Sequence, residues 1–217
     1  MIISTITTLL AAACLTGAFV SVLGEWRRSD PIRSAAKVVA STAFIAIAAV
    51  NGAAASFYGR AILAALVFSW VGDVLLLSAR NSFLTAGIAA FLLAHFAFAA
   101  AFMSLGADLK ALAAAFLIMS AFGVVMLRWL WQHLEGFYRF AVPVYVLAIV
   151  LMTSLAAAVS AASGSYAALA SAIIFTVSDV AVARDRFVRR SIVNKVWGLP
   201  LYYTAQIVFA VSILYYR

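Results

Sequence analysis

The chain has 217 residues, 67% of them hydrophobic and 10% charged, with a mean hydropathy of +1.13, which excludes an ordinary soluble globular domain. Its formal net charge of +8 fits basic loops on one side of a membrane; with no aromatic and basic surface patch, it does not point to nucleic acid. A single cysteine, Cys14 in an apolar stretch, excludes an internal disulfide and a cysteine-ligated metal.

A membrane span needs about 20 apolar residues. The sequence therefore predicts an all-α, polytopic membrane bundle of about eight helices on short loops, forming one transmembrane domain over residues 1–217. The expected spans cover about residues 2–24, 35–50, 58–78, 83–105, 110–131, 140–160, 166–183 and 199–216. The first is read as a retained span and not a cleaved signal, because no basic residue precedes it and its apolar run continues to Leu23. Glu25 to Pro31 then forms an interfacial loop, and Asn51-Gly52 a turn. The third span carries Asp73 near its far end. In the fourth, Phe83, Gly87, Phe91 and His95 fall at i, i+4 spacing on one stripe. The sixth opens with Pro143 and Tyr145, a proline expected in a first turn. The seventh is rich in small residues, which let helices approach closely in lipid, and reaches Asp179 just before a basic loop containing Arg184, Arg186, Arg189 and Arg190. The last carries Tyr202 and Gln206 and ends in Tyr215-Tyr216-Arg217, an aromatic belt with a basic end.

Of the 15 Lys and Arg residues, all but Arg60, Lys110 and Arg217 fall beside the connections after spans one, three, five and seven. That bias puts those connections in the cytoplasm and both termini outside, as expected of a multi-pass protein of a bacterial inner membrane. Asp73 and Asp179 then lie on parallel spans, each a few residues before a cytoplasmic arginine. At about 1.5 Å per residue, both are within roughly 7–11 Å of that end. The matched positions also raise the question of an internal duplication of two four-span halves.

An ionisable group inside a membrane is expensive and by default a pointer to function. Two carboxyl groups sharing a site can hold one protonated and one ionised member, so that one delivers a proton while the other stabilises the resulting cation or activates water. Glycoside hydrolysis uses such a pair around an oxocarbenium-like transition state.

Gly72-Asp73 followed by leucines, Phe83-x3-Gly87-x3-Phe91-x3-His95, Val142-Pro143-Val144-Tyr145, Phe175-x2-Ser178-Asp179 with Arg186-Phe187, and Tyr202-x2-Ala205-Gln206 together resemble the YhhN-type lysoplasmalogenase family, in the same order over about residues 35–210. One departure is Lys37-Val38, where lysine followed by proline is expected. The resemblance implies an integral membrane hydrolase that cleaves the vinyl ether of a lysoplasmalogen to a fatty aldehyde and a glycerophospho-ethanolamine or -choline. It implies Asp73 and Asp179 as the catalytic pair, a lysophospholipid and the bilayer as partners, and no cofactor or metal. No protein partner is implied. Tyr145, Tyr202, Gln206 and His95 are candidates for lining the site, although His95 in a helix stripe is equally read as an interior residue bonded across helices. Lys37 and Arg186 are candidates for holding the substrate phosphate, beside the plainer reading of both as topology signals. The rival class is a carrier relaying protons through the two aspartates, which the scarcity of mid-span glycine and proline argues against.

Overall fold

Inside a bilayer every backbone N–H and C=O must be satisfied within the protein, which leaves an apolar chain the helix as its solution. The computed structural model describes residues 3–78 and 80–216 and contains no strand among them. Its helices are α1 (Thr5–Trp26), α2 (Asp30–Val50), α3 (Phe57–Leu75), α4 (Asn81–Met103), α5 (Leu109–Trp131), α6 (Tyr138–Ser163), α7 (Ala167–Ala183) and α8 (Ile192–Ser212). A 3-10 turn, Ala53–Ala55, precedes α3, and a π-helical turn, Arg184–Val188, continues α7. Side chains close several helix starts: Ser4, Ser56, Asp108 and Ser191 each accept a backbone N–H of the first turn. Arg217, expected at the outer interface, lies outside the described residues.

Seven helices are long and apolar enough to cross a membrane, namely α1 to α6 and α7 with its π turn. The eighth is long enough but more polar, with Asn194, Lys195, Tyr202, Tyr203 and Gln206 in its sequence. It can carry these because it packs against α1, α2, α3 and α7 and buries most of them.

Three helices start earlier than the hydropathy suggests. Pro31 stands at the start of α2, where its missing N–H costs nothing. By contrast, α6 begins at Tyr138 and α8 at Ile192, so Pro143 and Pro200 both lie inside helices. The placement of Pro143 in a first turn is therefore corrected, and with it the argument that the spans lack interior prolines. Polar residues near these starts, Arg139 in α6 and Asn194 and Lys195 in α8, read as loop although the helix runs on through them.

Each helix forms a hairpin with its neighbour: α1 with α2, α3 with α4, α5 with α6, α7 with α8. The two four-helix halves also repeat their larger contacts. Packing of α2 on α3 matches that of α6 on α7, and packing of α2 on α8 matches that of α6 on α4. At the core of this arrangement, Phe98 of α4 and Phe209 of α8 stack with centroids 3.8 Å apart at 19°. Both are the eighteenth residue of their helices. The repeat breaks in two places: α1 packs along α8, whereas α5 packs on α6 and makes no extended contact with α4, and α3 touches α8 where α7 makes no extended contact with α4.

Candidate active site

The repeated arrangement brings equivalent positions of the two halves face to face around one cavity. Gly87 and Gly198 are each the seventh residue of α4 and α8, Phe91 and Tyr202 the eleventh, His95 and Gln206 the fifteenth. Phe91 and Tyr202 meet edge to face at 5.8 Å. The glycines bring each helix close to the one before it. A Cβ on Gly198 would come within 2.5 Å of the Ala181 Cβ and 3.9 Å of the Ser178 carbonyl oxygen; one on Gly87 would lie 3.6 Å from the Gly72 carbonyl oxygen. Gly72 and Ser178 are the residues that precede the two aspartates.

Asp73 is almost wholly buried, at 3% exposure, and both its oxygens are engaged. Oδ1 is 3.0 Å from Lys37 Nζ of α2. Oδ2 accepts from Tyr202 OH of α8 at 2.9 Å and from Ser41 Oγ of α2. Ser41 Oγ also lies 3.4 Å from Tyr203 OH. Asp179 repeats this scheme with different chemistry. Tyr145 is the eighth residue of α6, as Lys37 is of α2, and its hydroxyl donates to Asp179 Oδ2 at 3.2 Å. His95 of α4 sets Nε2 3.2 Å from the same oxygen, off the line of a good hydrogen bond, while Nδ1 is 2.8 Å from the Phe91 carbonyl oxygen. Oδ1 of Asp179 has no protein hydrogen bond among the described residues. The imidazole is fully buried, stacked on Phe175 at 4.6 Å and edge-on to Tyr145 at 5.0 Å.

Both aspartates line one cavity of about 450 Å³, shared with Lys37, Tyr145, Tyr202 and Arg186. Its walls change character with depth. Apolar side chains of α4, α5 and α6 form one flank, among them Ile88, Phe122, Met126 and Val150. At the basic end stand Glu25, Arg33, Arg190 and Lys195. Glu25 engages two of these cations, Lys195 at 2.7 Å and Arg33 at 3.6 Å; Arg33 also meets Asp30 at 3.1 Å. Arg186 and Arg190 have no carboxylate partner among the described residues, and both also line an adjoining recess of about 240 Å³. Arg186 is presented there by the π turn, an irregularity often found at functional sites.

Six of the eight residues singled out from the sequence therefore reach the cavity wall, and two do not. His95 stands behind Asp179. Gln206 is fully buried one helical turn beyond Tyr202, its Nε2 3.4 Å from Ser69 Oγ and its Oε1 without a hydrogen-bond partner among the described residues. Lys37 lines the cavity but is committed to Asp73 instead of standing free at the mouth. The sequence reading missed Ser41, the second hydroxyl on Asp73; a lone serine four residues after Lys37, among many serines, carried no signal. It also missed Glu25, whose place between two cations depends on loops far apart in the chain.

Searches of curated proteins and of solved structures each find no match. The sequence profile of the YhhN family matches residues 32–213, most of the chain and all of the cavity's wall except Glu25 and Asp30. The chain belongs to the YhhN family, the lysoplasmalogenase family.

Proposed function

We propose that this protein is a membrane hydrolase that cleaves the vinyl ether bond of a lysoplasmalogen, releasing a fatty aldehyde and a glycerophospho-ethanolamine or -choline. The observation that carries the reading is the pair Asp73 and Asp179 on the wall of a single cavity. A proton added to the alkenyl carbon draws the π electrons into a new C–H bond and leaves an oxocarbenium ion. Water adds to that cation and loses a proton, and the hemiacetal breaks its C–O bond as its hydroxyl proton passes to the glyceryl oxygen. One water is consumed, with no net change in protons. Such a path needs one acid and one anion beside the cation.

The graded wall supports a single-chain amphiphile as substrate. An apolar flank by α4, α5 and α6 suits the chain, the aspartates lie at the depth of the bond to be cut, and the basic end suits a phosphate. Arg186 and Arg190 have no carboxylate partner among the described residues, which favours Arg186, with Arg190 beside it, over the alternative candidate Lys37 for that phosphate.

A proton-coupled carrier is the second reading, and Pro143 and Pro200 inside helices favour it. Against it, both carboxyl groups lie within about two turns of the same end of the bundle, whereas a relay across the membrane needs groups spread through its depth. The deciding experiment is aldehyde release from lysoplasmalogen by the purified full chain in detergent, with Asp73→Asn and Asp179→Asn beside it. Release by the wild type and its loss in both variants is the expected result; no release by the wild type ends the hydrolase reading, and wild-type release by both variants ends the two-aspartate mechanism.

A further inference from the structure

The two halves of the site are built alike and furnished differently, and the difference assigns the roles. We infer that Asp179 with His95 holds and transfers the proton, while Asp73 with Lys37 is the standing anion that meets the cation. This inference rests on the hydrolase reading for what the proton does, but not for where it resides.

Three observations carry it. First, the eighth position of the helix before each aspartate is a lysine in one half and a tyrosine in the other. Lys37 gives Asp73 a full positive charge at 3.0 Å, which favours the ionised carboxylate; Tyr145 offers Asp179 only a neutral donor at 3.2 Å.

Second, the ring of His95 is locked. A carbonyl oxygen only accepts, so the 2.8 Å contact with Phe91 means that Nδ1 carries hydrogen. In the neutral imidazole Nε2 is then a bare acceptor facing Asp179 Oδ2 at 3.2 Å. Two lone pairs at that distance repel each other, and a proton taken up by either group removes the repulsion even though the two atoms are not aligned for a straight hydrogen bond. The His95–Asp179 pair is thus organised around a proton that the Lys37–Asp73 pair has no need of.

Third, the two carboxyl groups differ in access. Both oxygens of Asp73 are occupied by Lys37, Tyr202 and Ser41. Asp179 keeps Oδ1 free of partners among the described residues on the cavity wall, so it has an oxygen open to water or substrate, whereas Asp73 acts on the cation through its charge.

In the reaction, Asp179 gives its proton to the alkenyl carbon, and its carboxylate recovers one from the water that adds to the oxocarbenium ion. His95 is a positioning residue, acting through Asp179 by supplying or accepting the proton on the Nε2 side. The titratable groups facing His95 are Asp179 from α7 and Tyr145 from α6; those facing Asp73 are Lys37 from α2, Tyr202 and Tyr203 from α8 and Cys14 from α1. The reaction therefore requires the proton that the His95–Asp179 pair holds.

The test reads protonation without substrate. Infrared difference spectra of the detergent-solubilised full chain, taken across pH, are compared for wild type, Asp73→Asn, Asp179→Asn, Asp179→Glu and His95→Gln. The titrating carboxyl signal is expected to persist in Asp73→Asn, vanish in Asp179→Asn, return at a changed frequency in Asp179→Glu, and move to a different pH in His95→Gln. Loss of the signal in Asp73→Asn with retention in Asp179→Asn overturns the inference, and so does a signal that no substitution alters. The pH profile of kcat is the second readout. His95→Gln should displace its alkaline limb, whereas Lys37→Arg should lower kcat and leave the limb in place; the reverse pattern also overturns the inference. A wild type that titrates as described yet releases no aldehyde removes the hydrolase reading and leaves the proton assignment standing.

Discussion

Lys37 and Tyr145 occupy the same position in two equivalent helices, and each reaches the aspartate of the helix that follows: Nζ to Asp73 Oδ1 at 3.0 Å, the phenol to Asp179 Oδ2 at 3.2 Å. The two sites share one arrangement and differ by a charge.

Removing that charge while keeping its partner leaves a buried carboxylate uncompensated. Lys37→Met is expected to destabilise the protein by about 3–5 kcal/mol. Adding Asp73→Asn to Lys37→Met should recover a large part of the loss, because the unpaired anion is then gone. Unfolding of the single and double variants in detergent, analysed as a double-mutant cycle, measures the coupling.

The stacked pair Phe98 and Phe209 is fully buried, so Phe98→Ala opens a cavity where the halves meet. A loss of about 3–5 kcal/mol is expected. Thermal unfolding checks it, and Phe98→Leu, which refills most of the space, should lose much less.

Gly198 and Gly87 hold equivalent positions but differ in what a methyl group would meet. At Gly198 the obstacle is Ala181 Cβ at 2.5 Å, fixed to the backbone of α7; at Gly87 it is the end of the Leu76 side chain at 2.7 Å, which can rotate away. Gly198→Ala should therefore cost about 1–3 kcal/mol and Gly87→Ala less. Equal losses in chemical denaturation would contradict this reading of the two contacts.

Arg186 faces the cavity without a carboxylate partner among the described residues. If it holds the substrate phosphate, Arg186→Ala raises KM for lysoplasmalogen about tenfold or more and changes kcat little. Steady-state aldehyde release over a range of substrate concentrations separates the two parameters, and a fall in kcat alone would tell against phosphate binding.

No group of three His, Cys, Asp or Glu side chains meets among the described residues, so the acid and anion described above are expected to work without a bound cation. Aldehyde release should survive exhaustive dialysis against a chelator; activity lost there and restored by a divalent metal would refute that expectation.

Much of this was legible in the sequence because membranes simplify the problem. Long apolar runs fix the helices, and an aspartate inside one is conspicuous. The placement of Asp73 and Asp179 near the ends of α3 and α7 followed from the basic residues just beyond them. What could not be read was lateral: helical spacing says which face Lys37 is on, but not that α3 lies against that face, so its ion pair with Asp73 was out of reach. His95 was left between an interior and a site role for the same reason, and it proves to be buried while touching a site residue. The prolines misled where polar side chains near Tyr138 and Ile192 made helical turns look like loop. The duplicated plan was visible only as two Asp-Val pairs; the match of Lys37 with Tyr145, or His95 with Gln206, cannot be seen in residue types that have diverged so far.

One place where the halves fail to match, the parting of α5 from α4 beside the cavity's apolar flank, bears on what would follow bond cleavage in the proposed reaction. Cutting a lysolipid at the aspartates turns one detergent-like molecule into an oil and a salt. On the proposed hydrolase reading, the oil would leave toward the bilayer on the side where α5 parts from α4 and the salt past the arginines, so neither fragment would have to retrace the route by which the intact lipid came in.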